Sequence, residues 1–458
     1  SVMHIDGRNA GGALGSGHLV SDGNIRFTAY KDKIGYIDIT GTADLRGSKL
    51  VIDPNGVYIP EHSYSDQIVR NGISSFVDNG FADFESHSTG MMGSSYDNGQ
   101  ITFSIQDNLG SRSQQQATML ALLNRTVHGN SQAAYDFAEL YSLQADAAKA
   151  SLSQLYGGIN SSMAEVIKFD TFLADMVSAR STNKNEADRE LWAVLQRDWL
   201  SVGAQDDQSK LTDQTWRLAV GHEQLLSDKW QLGYLLTYGK HDLSSGGAKG
   251  KAHDYRLAIY GLYRQQALSV STYASAGWHN SSTERNYNQL NRQANSRYLG
   301  YTLGLGARAG IDLQYGKLNA WHTIPYLRLD ALHYTQNSYS EHGADVYDQT
   351  TQGYSGNMLT AGIGVEFVRD LHAKGSYSLA LGYQRKLVGF STPLTTSFSG
   401  STDSFIVYGN TLDRNTLQMK LSANIQANKS LRLQTELQQL LGSRTKNTTL
   451  SLQANWSF

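Results

Sequence analysis

The chain has 458 residues, enough for two or three domains, and its net charge of −2 gives no electrostatic reason to expect nucleic acid as a partner. It contains no Cys, which excludes disulfides and Cys-based metal centres. High counts of Gly (44) and Tyr (26) with only 4 Pro suit long strands, tight turns and aromatic girdles. No apolar run approaches the roughly 18 residues of a membrane-spanning helix. The chain also begins without a charged and apolar signal segment, so we expect the natural start of an envelope protein to lie upstream.

Residues 1–112 are predicted to be all β. Short alternating stretches, such as GNIRFTAY and KLVIDPNGVYIP, are separated by Gly, Asp-Gly and Pro-Asn-Gly turns. Closely spaced short strands favour either a β-sandwich or the last coils of a parallel β-helix. Both alternatives stay open on this evidence.

Residues 113–187 lose the β signal and are predicted to be helical. Five apolar residues approximate one helical stripe: Ala134, Phe137, Ala138, Tyr141 and Leu143. Gly157-Gly158 interrupts the stripe, and Asn160 is expected to cap a second helix over 162–180, with Glu165 near the capping-box position. That helix would be about 28 Å long, close to the thickness of a hydrocarbon core. A helical hairpin packed on a soluble core is the alternative.

From residue 188 to 458 the chain returns to β structure, now in long strands. Twelve strands are predicted, at 190–202, 213–225, 229–241, 252–264, 267–280, 296–311, 318–334, 357–369, 375–388, 412–427, 430–441 and 447–458. In the tenth, apolar residues from Leu417 to Ile425 alternate strictly with polar residues from Gln418 to Gln426. A soluble core does not need so many long strands with one apolar face, whereas a membrane barrel does.

The connections between these strands alternate between short and long. The tight ones are 226–228, 264–266, 313–317, 370–374 and 427–429, and the long polar ones are 242–251, 281–295, 335–356 and 389–411. Outer-membrane barrels keep short turns on the periplasmic side and long loops outside. An even strand count places both barrel ends on the periplasmic side, so the preceding helix must start outside and pass through the lumen. The predicted fold is therefore an all-β membrane protein, a twelve-stranded antiparallel transmembrane barrel with a central pore helix.

The last ten residues, 449–458, show the alternation most strictly. One face carries five apolar residues: Leu450, Leu452, Ala454, Trp456 and Phe458. This end resembles the terminal signal strand of outer-membrane β-barrels, which the bacterial barrel-assembly machinery reads. An edge strand of a soluble sandwich is the alternative for this segment alone.

Several stretches together resemble the carboxy-terminal translocator of classical (type Va) bacterial autotransporters. These are the Trp-rich opening strand from Leu191 to Trp199, the Pro-Tyr strand start Ile324-Pro325-Tyr326-Leu327, and the final Phe458. The helical stretch 152–162 is similar to a Leu-Ser-Gly-Glu-Ile-His-Ala-Ser-type segment of subtilisin-like serine protease autotransporters, with departures at Gly158 and Asn160.

The resemblance implies three regions and a function. Residues 1–112 would be the passenger's β-helix end with an autochaperone region, 113–187 a helical linker threading the barrel, and 188–458 the translocator. The implied function is export and surface display of the chain's own amino-terminal passenger by type V secretion, from a monomer in the outer membrane with its passenger segment on the cell surface. The implied partners are outer-membrane lipid, lipopolysaccharide included, the barrel-assembly machinery, periplasmic chaperones and the passenger itself.

No enzymatic signature occurs in the sequence. Gly-x-Ser-x-Gly, His-Glu-x-x-His and P-loop patterns are absent, so no catalytic residue, metal or cofactor is expected. No Asn-Asn pair occurs between 113 and 187, so the Asn-based self-cleavage of enterobacterial serine protease autotransporters is not expected. Two alternatives stay open: a carrier for a secreted enzyme, such as a serine protease, whose catalytic domain lies outside this chain, and a passive outer-membrane channel.

Charged residues on the inward phase of the strands are the candidate site residues. They are Asp254, Arg256, Arg308, Arg328, Asp330, Glu366, Lys420, Arg432 and Glu436. A wet lumen solvates such charges, whereas Arg or Lys facing lipid near the midplane costs ~2–4 kcal/mol. A generic wet lumen explains them simply. The sharper hypothesis is that some of them pair with Lys168, Asp170 or Asp175 on the pore helix and seal the pore.

Overall fold

The computed structural model describes most of the chain. The described ranges are 2–5, 18–20, 23–27, 29–39, 42–52, 56–64, 69–71, 81–85, 88–97, 100–182, 189–205, 208–315, 321–371 and 374–458. The predicted turn at 53–55 and the end of the linker, 183–188, lie outside these ranges.

The amino-terminal region is built from short strands. They are β1 (Val2–Ile5), β2 (His18–Val20), β3 (Asn24–Phe27), β4 (Ala29–Tyr30), β5 (Lys33–Ile34), β6 (Tyr36–Ile39), β7 (Thr42–Asp44), β8 (Lys49–Ile52), β9 (His62–Tyr64), β10 (Val69–Asn71), β11 (Asp83–Glu85), β12 (Met92–Asp97) and β13 (Gln100–Ile105). Three sets pair in parallel, β1–β6–β10, β3–β8–β11 and β2–β7. Parallel pairing stacks equivalent side chains, as in the row Ile25, Leu50 and Phe84. Only β9, β12 and β13, with the β4–β5 pair, run antiparallel among the described strands of this region.

Six helices follow. They are α1 (Gln114–Val127), α2 (Ser131–Asp136), α3 (Ala138–Tyr141), α4 (Ala145–Tyr156), α5 (Ile159–Phe169) and α6 (Phe172–Thr182). A capping box between Ser113 and Gln116 starts α1. Gly157 ends α4 at a φ of 71°, a left-handed conformation that glycine adopts without steric cost. None of the helices in the described residues is long and apolar enough to cross a membrane.

The single helix predicted over 162–180 is wrong in two respects. The chain breaks between α5 and α6 at Asp170 and Thr171, where the Asp170 carboxylate accepts the backbone N–H of Phe172 at 3.0 Å. Asn160 is not the cap, because α5 already begins at Ile159 and the Asn160 side chain instead accepts the hydroxyl of Thr283 at 2.8 Å. The Asn160 side-chain oxygen, which was predicted to cap the helix, thus accepts a hydrogen bond from the barrel instead.

The remaining strands are β14 (Arg189–Val202), β15 (Leu211–Ser227), β16 (Trp230–Ser245), β17 (Ala248–Gln265), β18 (Leu268–Tyr287), β19 (Arg292–Ile311), β20 (Trp321–Gln336), β21 (Tyr339–Ser340), β22 (Gln349–Thr351), β23 (Tyr354–Asp370), β24 (Gly375–Val388), β25 (Leu394–Phe398), β26 (Ser404–Val407), β27 (Asn415–Gln426), β28 (Leu431–Leu441) and β29 (Thr445–Ser457). Twelve of them form a closed antiparallel barrel, sealed where β14 pairs with β29. The predicted twelve-stranded barrel is confirmed. Large apolar side chains cover its outer face, among them Ile259 (59% exposed) and Leu303 (60% exposed).

The outer connections differ from the prediction. The segments 242–251 and 281–295 are mostly strand, because β16 runs to Ser245 and β18 to Tyr287. Beyond the membrane the outer face of these strands meets water, whereas the inner face of β18 stays buried as far as Tyr287, so the apolar alternation ends although the β pairing continues. The other two long connections contribute β21, β22, β25 and β26, which form a second sheet over the outer mouth.

One apolar core joins the amino-terminal strands, helices α1–α4 and the outer ends of the barrel. Phe103, Leu123 and Tyr141 belong to it, together with Tyr347 and Phe398 from the outer connections. Helices α1–α4 therefore lie above the barrel mouth, and only α5 and α6 enter the lumen. This differs from a linker that threads the barrel over all of 113–187.

Candidate functional site: the helix-filled lumen

Helices α5 and α6, called the plug from here on, fill the lumen of the barrel. Ile159, Met163 and Ile167 of α5 pack against barrel residues such as Leu243 and Tyr334. Phe172, Met176 and Val177 of α6 pack lower down, in a cluster that includes the fully buried Trp192. Three cavities beside the plug measure about 40, 50 and 20 Å³. Each has room for only a few water molecules.

The outer end of the plug lies against the connection 389–414. Ser161 Oγ donates to the Thr392 carbonyl at 2.6 Å and accepts the Gly409 N–H at 2.8 Å. Ser162 Oγ accepts the Asn410 N–H at 2.8 Å. Small hydroxyl side chains let the loop backbone approach α5 closely. A Cβ on Gly409 would stand only 2.4 Å from Ser162 N.

Arg285 of β18 holds the turn above the plug. Its guanidinium donates to the carbonyls of Gln154 and Leu155, at 3.1 and 3.3 Å, where α4 ends. It also pairs with Glu341 at 2.5 Å, and both side chains are buried. Cations stabilise the carbonyl end of a helix. The barrel therefore fixes the point at which the chain turns from α4 into the lumen.

Lys168 does not pair with the predicted barrel charges. Its Nζ lies 2.7 Å from Glu165 of the same helix, and both side chains are 1% exposed. Lys386 of β24 approaches Glu165 at 3.9 Å and donates to the Leu412 carbonyl at 3.0 Å. Glu165 thus lies between two ammonium groups, one from the plug and one from the barrel.

Asp170 is the charge centre at the break in the plug. Its carboxylate lies 2.8 Å from Arg217 and 2.7 Å from Arg256, and all three side chains are buried. Arg256 pairs also with Asp254 at 2.8 Å. Arg217 has a second carboxylate, Asp198, but only at 3.8 Å. Two barrel strands, β15 and β17, therefore each send an arginine to the plug carboxylate at the break between α5 and α6.

Asp175 faces the opposite wall of the barrel. Arg328 contacts it at 2.5 Å and also pairs with Asp330. Gln418 and Gln438 donate to the same carboxylate at 3.4 and 3.3 Å. The Thr171 hydroxyl donates to it as well, at 2.7 Å, so three neutral donors and one cation satisfy a charge that the apolar face of α6 could not accommodate.

Arg180 fixes the inner end of the plug to the seam of the barrel. Its guanidinium pairs with Glu223 of β15 and Glu190 of β14. It also donates to Asn455 of β29 at 3.2 Å and lies over the Trp192 ring at 4.8 Å. Because β14 and β29 are the first and last strands, this one side chain bridges the closure of the barrel.

The remaining predicted residues pair within the barrel wall. Arg308 contacts Glu366 at 2.9 Å and Lys420 contacts Glu436 at 3.4 Å. Arg432 contacts Glu190 at 3.1 Å. Of the nine predicted inward charges, Arg256 and Arg328 contact the plug by ion pairs, and Asp254 and Asp330 support those two arginines.

Five ion-pairing residues at the plug were not among the predicted site residues. The omitted residues are Glu165, Arg180, Glu190, Arg217 and Glu223. The signal was present for Arg217, because it follows Asp213 and Thr215 on the buried phase of β15. Nothing in the sequence singled out Arg180, which lies near the end of a helix and needs the seam to acquire its partners.

The terminal strand keeps its predicted faces. Leu450, Leu452, Trp456 and Phe458 are 41%, 55%, 42% and 68% exposed on the outer face. Asn455 is buried on the lumen side. Recognition of this strand by the assembly machinery stays a prediction. Among the described residues, no group of three or more His, Asp and Glu is arranged to hold a metal ion.

A closed barrel with an apolar outer face, a charged interior and a plug defines an outer-membrane β-barrel whose lumen is filled by helices. The family model of the autotransporter beta-domain matches residues 191–438, more than half of the chain, so the chain belongs to this family. The chain is therefore an outer-membrane translocator for its own amino-terminal passenger, and the β-domain is not itself catalytic. The predicted family, function and location are confirmed.

Two curated relatives and one solved structure show similar sequences or folds. Two sequences described as extracellular serine protease of Serratia marcescens are each 23% identical over 326 residues, which is 67% of this chain and 30% of theirs. The chain thus spans less than a third of their length. The translocator domain of autotransporter NalP from Neisseria meningitidis matches with a TM-score of 0.53 at 15% identity, covering 62% of this chain and 96% of that one. This likeness concerns the fold.

Proposed function

We propose that the plug closes the translocation pore once export is complete and holds the passenger end at the outer mouth. The observation that carries this proposal is the set of three ion-paired plug residues, Asp170, Asp175 and Arg180, at successive levels of the lumen. Together they reach β14, β15, β17 and β20, so the contacts oppose both rotation and withdrawal of the plug. The alternative of a passive channel needs an open lumen, which the small cavities beside the plug do not support.

We infer that residues 1–112 are the end of the passenger and act as its autochaperone. The parallel pairing of β3, β8 and β11 supports a β-helix end over a β-sandwich. The antiparallel strands β9, β12 and β13 then cover its last coil and join the core of helices α1–α4. A template for passenger folding at the cell surface is the role that this arrangement suits.

We propose further that the passenger is an enzyme, with a secreted serine protease as the first candidate. The similarity to the two Serratia marcescens proteins supports this. Their remaining length would correspond to passenger outside this chain. Protease assays on the full precursor test this proposal, and a passenger without hydrolase activity would refute it.

We also propose that the barrel-assembly machinery reads the terminal strand, with periplasmic chaperones acting earlier and lipopolysaccharide surrounding the finished barrel. The row of exposed apolar side chains that ends at Phe458 supports this. Deleting Phe458 should lower the fraction of heat-modifiable, folded barrel in the outer membrane. If the fraction of folded barrel is unchanged, the proposal that the assembly machinery reads Phe458 is rejected.

Single-channel conductance in planar bilayers tests the closure of the pore. Three versions would be compared: the full chain, a chain starting at residue 158 that keeps the plug, and a chain starting at residue 188 that lacks it. We expect the first two to be nearly closed and the third to conduct strongly. Equal conductance from all three would reject the plug and favour a passive channel. A closed chain from residue 188 would reject it as well.

A further inference from the structure

An aromatic row marks the outer membrane interface on one side of the barrel. Tyr238, Tyr255, Trp278 and Tyr301 are direct register partners across the four strands β16–β19. Tyr255 stacks on Trp278 with ring centroids 5.3 Å apart, and Trp278 and Tyr301 are 46% and 47% exposed. Such aromatic side chains sit at the headgroup level of a membrane barrel.

Two cations, with a serine between them, lie directly beyond the aromatic row. Lys251, Ser282 and Arg297 are register partners on β17, β18 and β19, each four residues outward of its aromatic neighbour. At ~3.3 Å per residue and a strand tilt near 40°, this is about 10 Å above the aromatic level. Their side chains share the outward phase of Tyr255, so they face the membrane surroundings and not the lumen.

These cations have no carboxylate partner within 4.0 Å among the described residues. Lys249 joins Lys251 and Arg297 on the same face, and none of the three has an ion pair. The neighbouring Lys240 differs, because it pairs with Asp242 at 3.3 Å. Glu284 is the one further carboxylate in this part of the described barrel surface, in register with Lys249. Asp242 is itself the register partner of Lys251. With Lys240 included, this face therefore carries four cations against two carboxylates, which leaves an excess of positive charge.

The positive site is also concave. A cavity of about 590 Å³ is lined by three cations, Lys249, Lys251 and Arg297, together with Ser282, Glu284 and His342. His342 belongs to the connection after β21 and is fixed there by two backbone hydrogen bonds with Asn295, at 3.0 and 2.9 Å. The small Ser282 side chain leaves space between the two flanking cations.

We propose that this cavity, called the cationic groove from here on, binds the phosphate groups of lipopolysaccharide in the outer leaflet. The level above the aromatic row, the outward direction of the side chains and the unpaired positive charge all match a phosphorylated lipid headgroup. A lysine ammonium group attracts phosphate oxygens as a compact positive charge, and an arginine guanidinium can donate two parallel hydrogen bonds to them. The site places lipid on one flank of the barrel, beneath the connection that carries β21.

The test uses the full chain in nonionic detergent, titrated with lipopolysaccharide and followed by native mass spectrometry. In the test variant, Lys249→Gln, Lys251→Gln and Arg297→Gln are combined. We expect at least a ten-fold weaker apparent Kd for this variant. Enzymatically dephosphorylated lipopolysaccharide should bind the unmodified chain as weakly as the variant binds intact lipid. An unchanged Kd in either comparison would overturn the proposal.

A matched control removes the same number of charges on the other side of the membrane. It combines Lys229→Gln, Lys374→Gln and Lys429→Gln, which lie in the short inner turns, and should bind like the unmodified chain. If lipopolysaccharide binds the control and test variants equally weakly, the loss of affinity depends only on net charge, and the cationic groove is rejected as the binding site. Inorganic phosphate separates the two sources of phosphate: if it binds the groove as tightly as the lipid does, the site takes free anion and the lipid assignment fails.

This proposal goes beyond closure of the pore and fails independently of it. The test variant keeps every plug contact, so its conductance in planar bilayers should equal that of the full chain. All three substituted side chains are exposed, so the variant barrel should fold normally. Heat-modifiable mobility on gels checks that it does.

Discussion

Replacing Asp170 with Asn should loosen the plug. The substitution keeps the size of the side chain and the acceptor that caps α6 through the Phe172 N–H. It removes the negative charge that Arg217 and Arg256 share at 2.8 and 2.7 Å. The change therefore isolates the electrostatic contribution of one plug residue.

The expected magnitude follows from what each arginine has left. Arg256 keeps Asp254 at 2.8 Å, whereas Arg217 keeps only Asp198 at 3.8 Å. Removing one member of a buried ion pair costs ~3–5 kcal/mol, because the other charge stays buried without a partner. The cost applies only while the plug occupies the lumen, since water hydrates both arginines once the plug leaves. At about 1.4 kcal/mol per factor of ten, the ratio of closed to open channels should fall at least a hundredfold.

Open probability in planar bilayers measures this ratio directly. The comparison is between the full chain, Asp170→Asn and a control, Asp146→Asn, whose side chain in α4 is 98% exposed and pairs with Lys149 at 3.2 Å. Exposed pairs contribute ~0–1 kcal/mol, so the control should stay closed.

Two outcomes would contradict the role of Asp170. If Asp170→Asn remains as closed as the full chain while the chain from residue 188 conducts, the plug is retained by apolar packing alone. Partial opening of both variants would instead show that any loss of negative charge acts on the channel, and the specific role of Asp170 would be rejected.

Three further predictions concern the ends of the plug and the outer loops. Arg180→Lys keeps the charge but loses the planar guanidinium that pairs with both Glu223 and Glu190. The temperature at which half of the barrel unfolds, read from heat-modified mobility on gels, should therefore drop by several degrees. An unchanged temperature would mean that the positive charge alone is sufficient. Gly409→Ala places a Cβ 2.4 Å from Ser162 N, so limited proteolysis within 389–414 should accelerate, whereas Gly203→Ala, with its nearest atom at 3.6 Å, should not change it. Burial raises the pKa of Asp413, but hydrogen bonds from the 443–445 turn outweigh burial and lower the pKa overall. The ionised carboxylate therefore stabilises this turn at neutral pH, and the stabilisation is lost as the pH falls below the ordinary carboxyl range. Proteolysis of the turn should therefore rise with acid in the unmodified chain, and Asp413→Asn should abolish that pH dependence; equal acid sensitivity in both would contradict it.

The sequence by itself determined the barrel. Strict alternation in segments such as 415–426 and 445–457 assigns one face to lipid and the other to the lumen, and only a closed sheet lets every strand keep that division without an exposed edge. The alternation of short and long connections then required the helix to enter from the outer side. These conclusions rest on local periodicity, which the amino acid order contains directly.

Tertiary structure decided how the lumen is filled. The segment 169–171 contains neither Gly nor Pro, so the local sequence does not predict the break between α5 and α6. The break occurs where two barrel arginines converge on one carboxylate. Likewise, alternation shows that Arg217 faces inward but not which plug residue it meets. That choice depends on the stagger of the strands and the rotation of the helices, because pairing in a lumen joins residues that are dozens to hundreds of positions apart in the chain.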